Sequence, residues 1–428
     1  MIGMMIATMF SISVEIEEPI CRYEPPNNGA GPLWCYGAPL MVRMGDSVFV
    51  SIIETGKDVP PLCNTRWQLW QRIGDRWRIV QQEEDYRERE PCPLMGFDGK
   101  LFLSVNPSLS PRGTRYGPCD PHLLEFSLDD PSSHPKPIRP IWAEGATFTD
   151  HSYRGAAIDR ENGEILLLNI DARGGDQFWA FRDSSGNWVN AGRIHFPIRA
   201  CYPQVALRAR SAHVLAIGDI VEPNEEWRKY KREKTGRDWD YVFRRLFYVW
   251  SPDISKQGFS EPIEIDNVDA TGGYIRNQDM WVDGKGDAHL LYLKQTAVPI
   301  IRDRFLPGTP VVVSLEYVLI RHGQTVERRS LVRGGEGVKG ERPSYGRLHA
   351  TDDGRLLLIY AAEGRNKIMQ IKPDITPPQV IPFEDPFTVF FTNTERGGSN
   401  PSRIIDIFGI GGDSRLLRYA RVIVEEGK

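Results

Sequence analysis

The side chains with the clearest chemical capacity stand in two short runs, Asp150-His-Ser-Tyr-Arg154 and Arg199-Ala-Cys-Tyr202. A histidine can take or give a proton near neutrality, a tyrosine can give one, and an arginine can hold an anion. Together they suit one reaction class in particular. A C–H proton beside a carboxylate is too weakly acidic to be removed unless the carboxylate is neutralised, so elimination needs a cation next to a His/Tyr pair. His151, Tyr202, Arg199 and Arg154 are the candidates for such a set. The plain alternative for each is a side chain that caps a strand or sits satisfied in a core.

Residues so far apart in the chain meet only if a repeating fold brings them together, and the sequence repeats. Each unit is a polar residue, a short apolar strand, a turn with Asp, Gly or Asn, and a second apolar strand. The copies are APLMVRMGDSVFVSI from Ala38, PCPLMGFDGKLFLSV from Pro91, GAAIDRENGEILLLNI from Gly155, PQVALRARSAHVLAIGD from Pro203, DMWVDGKGDAHLLYL from Asp279 and RLHATDDGRLLLIYA from Arg347. A third strand-like segment follows each, for example Gln177 to Arg182, and some units add a fourth, for example Pro262 to Ile265. Units of about four strands, spaced at roughly fifty to seventy residues, match the blades of a β-propeller. The tail from Ser402 to Glu425 supplies two or three more strands, and the alternating stretch Ser11 to Glu17 is placed to complete that last blade. The expectation is a single all-β domain over 1–428, a seven-bladed propeller closed by its N-terminal strand, with six blades as the alternative. A charged insertion at about 222–245 interrupts the fourth unit. It is expected to be helical, with Trp227, Tyr230 and Lys234 on one face, either solvated or forming a rim over the site.

In a propeller the residues ahead of each first strand gather at one mouth. Reading that position down the repeats gives Trp34 and Tyr36, Arg89 and Glu90, His151, Tyr153 and Arg154, Arg199 and Tyr202, Arg276, Asn277 and Asp279, Arg342 and Tyr345, and Asn400. Exits from the second strands add Glu54, Asn106, Asp171, Arg173, Asp219, Gln295, Glu363 and Arg365. The roster is rich in Arg and Tyr with few acids between them. Arginine forks hold carboxylates and sulfates, and aromatic faces stack on sugar rings. The implied partner is an acidic oligo- or polysaccharide, with Tyr153, Arg173, Asn277, Asp279, Arg342, Tyr345, Glu90 and His122 as candidate binding residues.

The segment Leu246 to Leu293 resembles the BNR-repeat, sialidase-like propellers, and Ser251-Pro-Asp253 with Gly258-Phe259 is similar to a worn Asp-box, as is Arg182-Asp-Ser-Ser-Gly-Asn-Trp188. Within that superfamily the chain looks most like the ulvan-lyase kind of propeller polysaccharide lyase, in having His151 before a first strand and Tyr202 in Cys201-Tyr202-Pro203 opening the next blade. The resemblance implies β-elimination at a uronate, with His151 or Tyr202 as base and acid, Arg199 or Arg154 on the carboxylate, and His122 as a second histidine of the family. The later arginine of that family has no counterpart after Asp219, where the insertion begins. A sialidase-like or rhamnosidase-type hydrolase is the alternative. It would draw on Arg154, Arg276 and Arg342 with Tyr345 and Glu363, or on Glu90 and Asp279 as a carboxylate pair. No FRIP-like motif precedes the first blade. A glycan-binding propeller without catalysis is a third reading.

Composition sets the outer bounds. The 428 residues are 40% hydrophobic and 26% charged, ordinary for a folded globular chain. A net charge of −4 gives no reason to expect a nucleic-acid partner, and the acids within the insertion would repel phosphate. No run is long and apolar enough for a membrane span, and the N-terminal MIGMMIATMFSIS is a poorly formed signal peptide. A secreted or periplasmic setting is suggested only by the expected substrate. Cys21, Cys35, Cys63, Cys92, Cys119 and Cys201 show no CxxC spacing, so zinc is not expected, and their even number allows disulfides without showing them. No cofactor is called for. A structural calcium ion would have room in a central channel but has no motif behind it.

Overall fold

The computed structural model describes residues 10–425 except 35–36, 172 and 238–239. Tyr36 and Cys35 lie outside the described residues, as does most of the N-terminal apolar stretch. Seven four-stranded antiparallel sheets succeed one another as blades. Their innermost strands are Met41–Met44, Leu94–Phe97, Gly155–Asp159, Ala200–Arg208, Tyr274–Val282, Pro343–Ala350 and Val389–Thr392. The seventh blade takes its outermost strand from the other end of the chain. Ser11–Arg22 pairs along Leu416–Glu425, from Ser11 opposite Glu425 to Arg22 opposite Leu416. The expected closure is found, and with it the expected seventh blade.

The apolar runs form second strands because each blade packs on both faces. Glu164–Ile170 and Leu356–Ala362 are buried at every position. Leu166, Phe181, Val205 and Val214 knit blades 3 and 4, and Leu291, Leu315, Leu348 and Leu358 knit blades 5 and 6. The outermost strands cover one face only, and Arg76–Gln82 has no buried residue.

The first strands of blades 4, 5 and 6 each carry a β-bulge near their upper end, between Cys201 and Gln204, Asn277 and Asp279, and Pro343 and Tyr345. These strands begin above the bulge, earlier than the apolar periodicity places them. A bulge re-aims the side chains around it. Below the bulges the axis is filled rather than open. Arg396 donates to the carboxylate of Asp279 at 2.7 Å and to the carbonyls of Gly37 and Val205 at 3.0 and 3.2 Å. Arg347 donates to the carbonyls of Gln278 and Phe390 at 2.7 and 3.1 Å.

The wall of blade 4 holds a buried polar pair with a consequence for stability. His213 has Tyr248 Oη 2.6 Å from Nδ1 and Ser211 Oγ 2.9 Å from Nε2. Burial pulls its pKa from 6.5 down to about 4. Between those values the unfolded chain binds a proton that the folded chain refuses. Stability is therefore expected to fall as pH drops through that window, by up to about 1.4 kcal/mol per pH unit from this group. Urea unfolding at successive pH values checks it, and a His213→Gln variant that kept the same slope would exclude His213 as the source.

Candidate active site

The site is assembled where blades 3 and 4 begin, under a strap that runs from the outermost strand of blade 7 to the first strand of blade 1. The strap is pinned at Asn28, whose amide donates to the Leu62 and Arg89 carbonyls at 2.9 and 3.2 Å and to Asn64 Oδ1 at 3.0 Å. Arg89 returns the contact by donating to the Asn28 carbonyl at 2.9 Å and also pairs with buried Asp150. Further on, Gly37 passes so close to blade 4 that a Cβ there would lie 2.7 Å from the Tyr202 carbonyl oxygen. Between these points the strap delivers Trp34. Its ring centroid lies 5.1 Å from Tyr153, 5.1 Å from Tyr202 and 5.9 Å from His151.

Four rings thus share one cluster. His151 stacks on Tyr153 with centroids 5.1 Å apart and planes 2° from parallel, and Tyr202 meets Tyr153 edge-on at 5.0 Å. Both tyrosines hold a left-handed backbone, with φ 41° at Tyr153 and 51° at Tyr202. Such a conformation is costly for an aromatic residue and persists only where the surroundings enforce it. At Tyr202 the bulge enforces it, and at Tyr153 the Glu90 carboxylate accepts the backbone N–H at 3.0 Å.

Glu90 is the hub beneath the histidine. Fully buried, it also accepts from Ser152 Oγ at 2.7 Å and lies 3.2 Å from His151 Nδ1. Burial alone would raise its pKa, but the His151 contact, Arg154 and Ser152 outweigh that and hold it below the usual carboxylate range. An ionised Glu90 only accepts, so the His151 Nδ1 that faces it carries a hydrogen. The His151 side chain is 35% exposed. Arg199 lies 5.2 Å over the same Tyr153 ring and pairs with Asp219 at 3.2 Å. Burial raises the Tyr153 pKa well above the ordinary 10, so its hydroxyl stays protonated.

Several residues expected at the mouth are placed elsewhere. Arg154 is 1% exposed and turns into the seam of blades 2 and 3, donating to the carbonyls of Ser104, Glu90 and Pro91 at 2.9, 2.9 and 3.0 Å. A guanidinium spent on buried carbonyls has no face for a substrate. Asn277 and Asp279, on either side of a bulge, point into the axial core. Asn277 donates to the Tyr202 and Leu215 carbonyls at 2.7 and 3.2 Å, and Asp279 pairs with Arg396. Tyr345 is fully buried against Arg347. Glu90 supports the site from below instead of facing it. With Glu90 and Asp279 both buried, no carboxylate pair flanks a substrate there, and without Arg154 the proposed arginine triad loses a member.

His122 accepts no role at the mouth either. It sits two strands out from the axis, with Nδ1 2.7 Å from the Asp120 carbonyl, in a cleft it lines with Trp67 and His134. Arg342 is exposed at the junction of blades 5 and 6, and Arg173 is exposed on the loop beside Arg199. Asn400 follows the first strand of blade 7 and so lies at the opposite end of the ring. The mouth is also less cationic than its roster of arginines implies, because Arg199, Arg89 and His151 each face a buried acid.

The charged insertion contributes to this wall, which sequence periodicity did not reveal. Its helix α1 (Glu225–Thr235) has no buried residue and is capped by Asn224, which accepts from the Trp227 N–H at 3.1 Å. Trp227 and Tyr230 rest on Phe305 of a second helix, α2 (Pro299–Phe305), at 6.3 and 5.3 Å, and Lys234 lies over Tyr230, as the expected shared face requires. A buried Glu222–Arg244 pair at 2.6 Å holds the base of the insertion. From that base Tyr241 reaches to 5.8 Å from Arg199, and Phe243 to 6.0 Å from Tyr202. Among the described residues no cluster of His, Cys, Asp and Glu could hold a metal ion.

No family model and no curated protein matches this sequence. Among solved structures, the polysaccharide lyase Uly1 superposes with a TM-score of 0.54 at 12% identity, over 96% of this chain and 93% of that one. A ulvan lyase solved with a glucuronate and sulfated-rhamnose fragment gives 0.54 at 12% identity, over 96% of both chains. The chain is therefore a seven-bladed propeller structurally similar to ulvan lyases, and at this identity the likeness concerns the fold.

Proposed function

We propose that the protein is a polysaccharide lyase that cleaves a uronate-containing glycan by β-elimination. The observation that carries the reading is His151, 35% exposed, oriented by buried Glu90 and stacked on Tyr153, over whose ring Arg199 also lies. Neutral His151 takes the C5 proton through Nε2. Arg199 faces the uronate carboxylate and offsets the charge that develops on it as the C–H bond breaks. A tyrosine hydroxyl then protonates the departing glycosidic oxygen. Tyr202 is assigned that step, and because only 8% of it is exposed, it acts from the wall of the site. Trp34 supplies an aromatic face for a sugar ring, and exposed Arg173 and Arg342 offer further contacts for anionic groups along a polymer. Both solved lyases share this ring, and one binds glucuronate, which supports choosing a uronate over other acids.

Incubation with glucuronate-rich and sulfated uronate polysaccharides tests the reading. Rising absorbance from a 4,5-unsaturated uronate is expected. New reducing ends without that absorbance would replace the lyase with a hydrolase, and binding without either would leave a glycan-binding propeller. Arg199→Lys keeps the charge facing Asp219 but loses the planar fork. It is expected to lower kcat/KM by roughly 10- to 100-fold, the worth of a charge-assisted bond. An unchanged kcat/KM would remove Arg199 from the clamp.

A further inference from the structure

The charged insertion is built as a firm support for one exposed ring. Lys231, on α1, pairs with Asp240 at 2.6 Å and with Glu222 at 3.5 Å. The Glu222 N–H donates to the Asp240 carbonyl at 2.8 Å, and Arg244 pairs with Glu222 while lying 5.2 Å over the Trp227 ring of the helix. Between these ties a two-stranded ribbon sets Ile220 opposite Val242 and Val221 opposite Tyr241. The Phe243 carbonyl then accepts from the Ile275 N–H at 2.8 Å, joining the ribbon to blade 5. Val242 and Arg244 are buried, yet Tyr241 is 40% exposed. A single exposed aromatic residue needs no explanation by itself. Its position beside Arg199 supplies one. That guanidinium lies 5.2 Å over the Tyr153 ring and 5.8 Å over the Tyr241 ring, and so touches both the His151 cluster and the insertion.

We infer that Tyr241 is the stacking platform of a second sugar subsite, for the pyranose that adjoins the uronate facing Arg199. The inference takes its polymer from the lyase reading and adds where the next sugar sits and what holds it. A pyranose presents a face of C–H groups edged by hydroxyls, and a tyrosine matches it with a flat apolar ring and a polar tip. The acids nearby are already paired, Asp240 with Lys231 and Asp219 with Arg199, which lessens their repulsion of an anionic chain. Because the ribbon is tied at both ends, little ordering is left to be done when the sugar arrives. A ring that only stacks on a neighbouring sugar holds substrate and transition state alike, so its contribution falls on KM and leaves kcat.

The test uses the full-length protein with glucuronate oligosaccharides of increasing length and the parent polymer, followed by calorimetric binding and by absorbance of the unsaturated product. Tyr241→Ala is expected to weaken binding and raise KM for the longer chains by roughly 3- to 10-fold, the worth of one aromatic stacking contact. Its kcat, and its constants for the shortest chain that is cleaved, should stay at the wild-type values. Tyr241→Phe keeps the ring and should restore most of the loss, with circular dichroism as the control for folding. Unchanged constants in Tyr241→Ala would overturn the inference. So would a fall in kcat of equal size at every length, which would make Tyr241 a positioning residue for Arg199 instead. A wild-type protein that neither binds nor cleaves these chains would overturn the glycan reading and this subsite together, an outcome distinct from the other two.

Discussion

Replacing His151 by alanine is expected to lower the elimination rate by about 10²- to 10⁴-fold, the usual worth of a positioned general base. The fold should survive the change. His151 is one-third exposed, and Glu90 below it keeps its bonds to Ser152 Oγ and to the N–H groups of Ser152 and Tyr153. The companion variant, Tyr202→Phe, removes one hydroxyl while preserving the ring that packs against Trp34, Tyr153 and Phe243. Its loss should be comparable if Tyr202 is the acid. Initial rates on a uronate polysaccharide, with circular dichroism as the control for folding, decide the matter. Wild-type rates in both variants would place the chemistry elsewhere, and loss in the His151 variant alone would pass the acid role to another hydroxyl, with Tyr153 nearest.

The largest stability effect is expected at the axis. Arg396 and Asp279 are 5% and 3% exposed and pair at 2.7 Å, with Asp279 also accepting from the Leu348 N–H at 3.0 Å. Removing one partner of a buried pair strands the other charge, at a cost of about 3–5 kcal/mol. Arg396→Ala should therefore lower unfolding stability by that order, and Asp279→Asn should recover part of it in the double variant because the stranded charge is gone. Denaturant unfolding of the two single variants and the double gives the coupling directly. A stability within 1 kcal/mol of wild type in Arg396→Ala, as an order-of-magnitude limit, would show that the axial core tolerates a lone carboxylate.

The sequence revealed the elements that are buried on both faces and obscured those that are not. Second strands such as Glu164–Ile170 are unbroken apolar runs, and all seven blades follow from them together with the closing N-terminal strand. Outer strands such as Arg76–Gln82 carry polar residues at most positions, so their period is weak. The first strand of blade 7, Val389–Thr392, is only four residues long and follows Pro386 closely, which hid it and led Asn400 to the wrong end.

Most of the misplaced site residues have a single cause. The bulges lengthen the first strands of blades 4 to 6 upward, so Asn277, Asp279 and Tyr345 belong to packed strand rather than to the loops of the mouth. Arg154 fails for another reason, since no periodicity tells which way a side chain turns at a strand's first step. His151, Tyr153, Arg199 and Tyr202 do come together, whereas the strap at 23–34 and the ring contacts of Tyr241 and Phe243 needed the three-dimensional structure.

The closing pair of strands also sets a timetable for biosynthesis. Ser11–Arg22 leaves the ribosome long before its partner Leu416–Glu425 is made. Until then the early strand has no hydrogen-bonding mate, and blades 1 to 6 form an open arc with a bare edge at either side. Closure is a contact of very high sequence separation, the kind that makes folding slow. During that wait the unpaired edges are open to pairing with another copy, so slow closure favours aggregation over the closed ring.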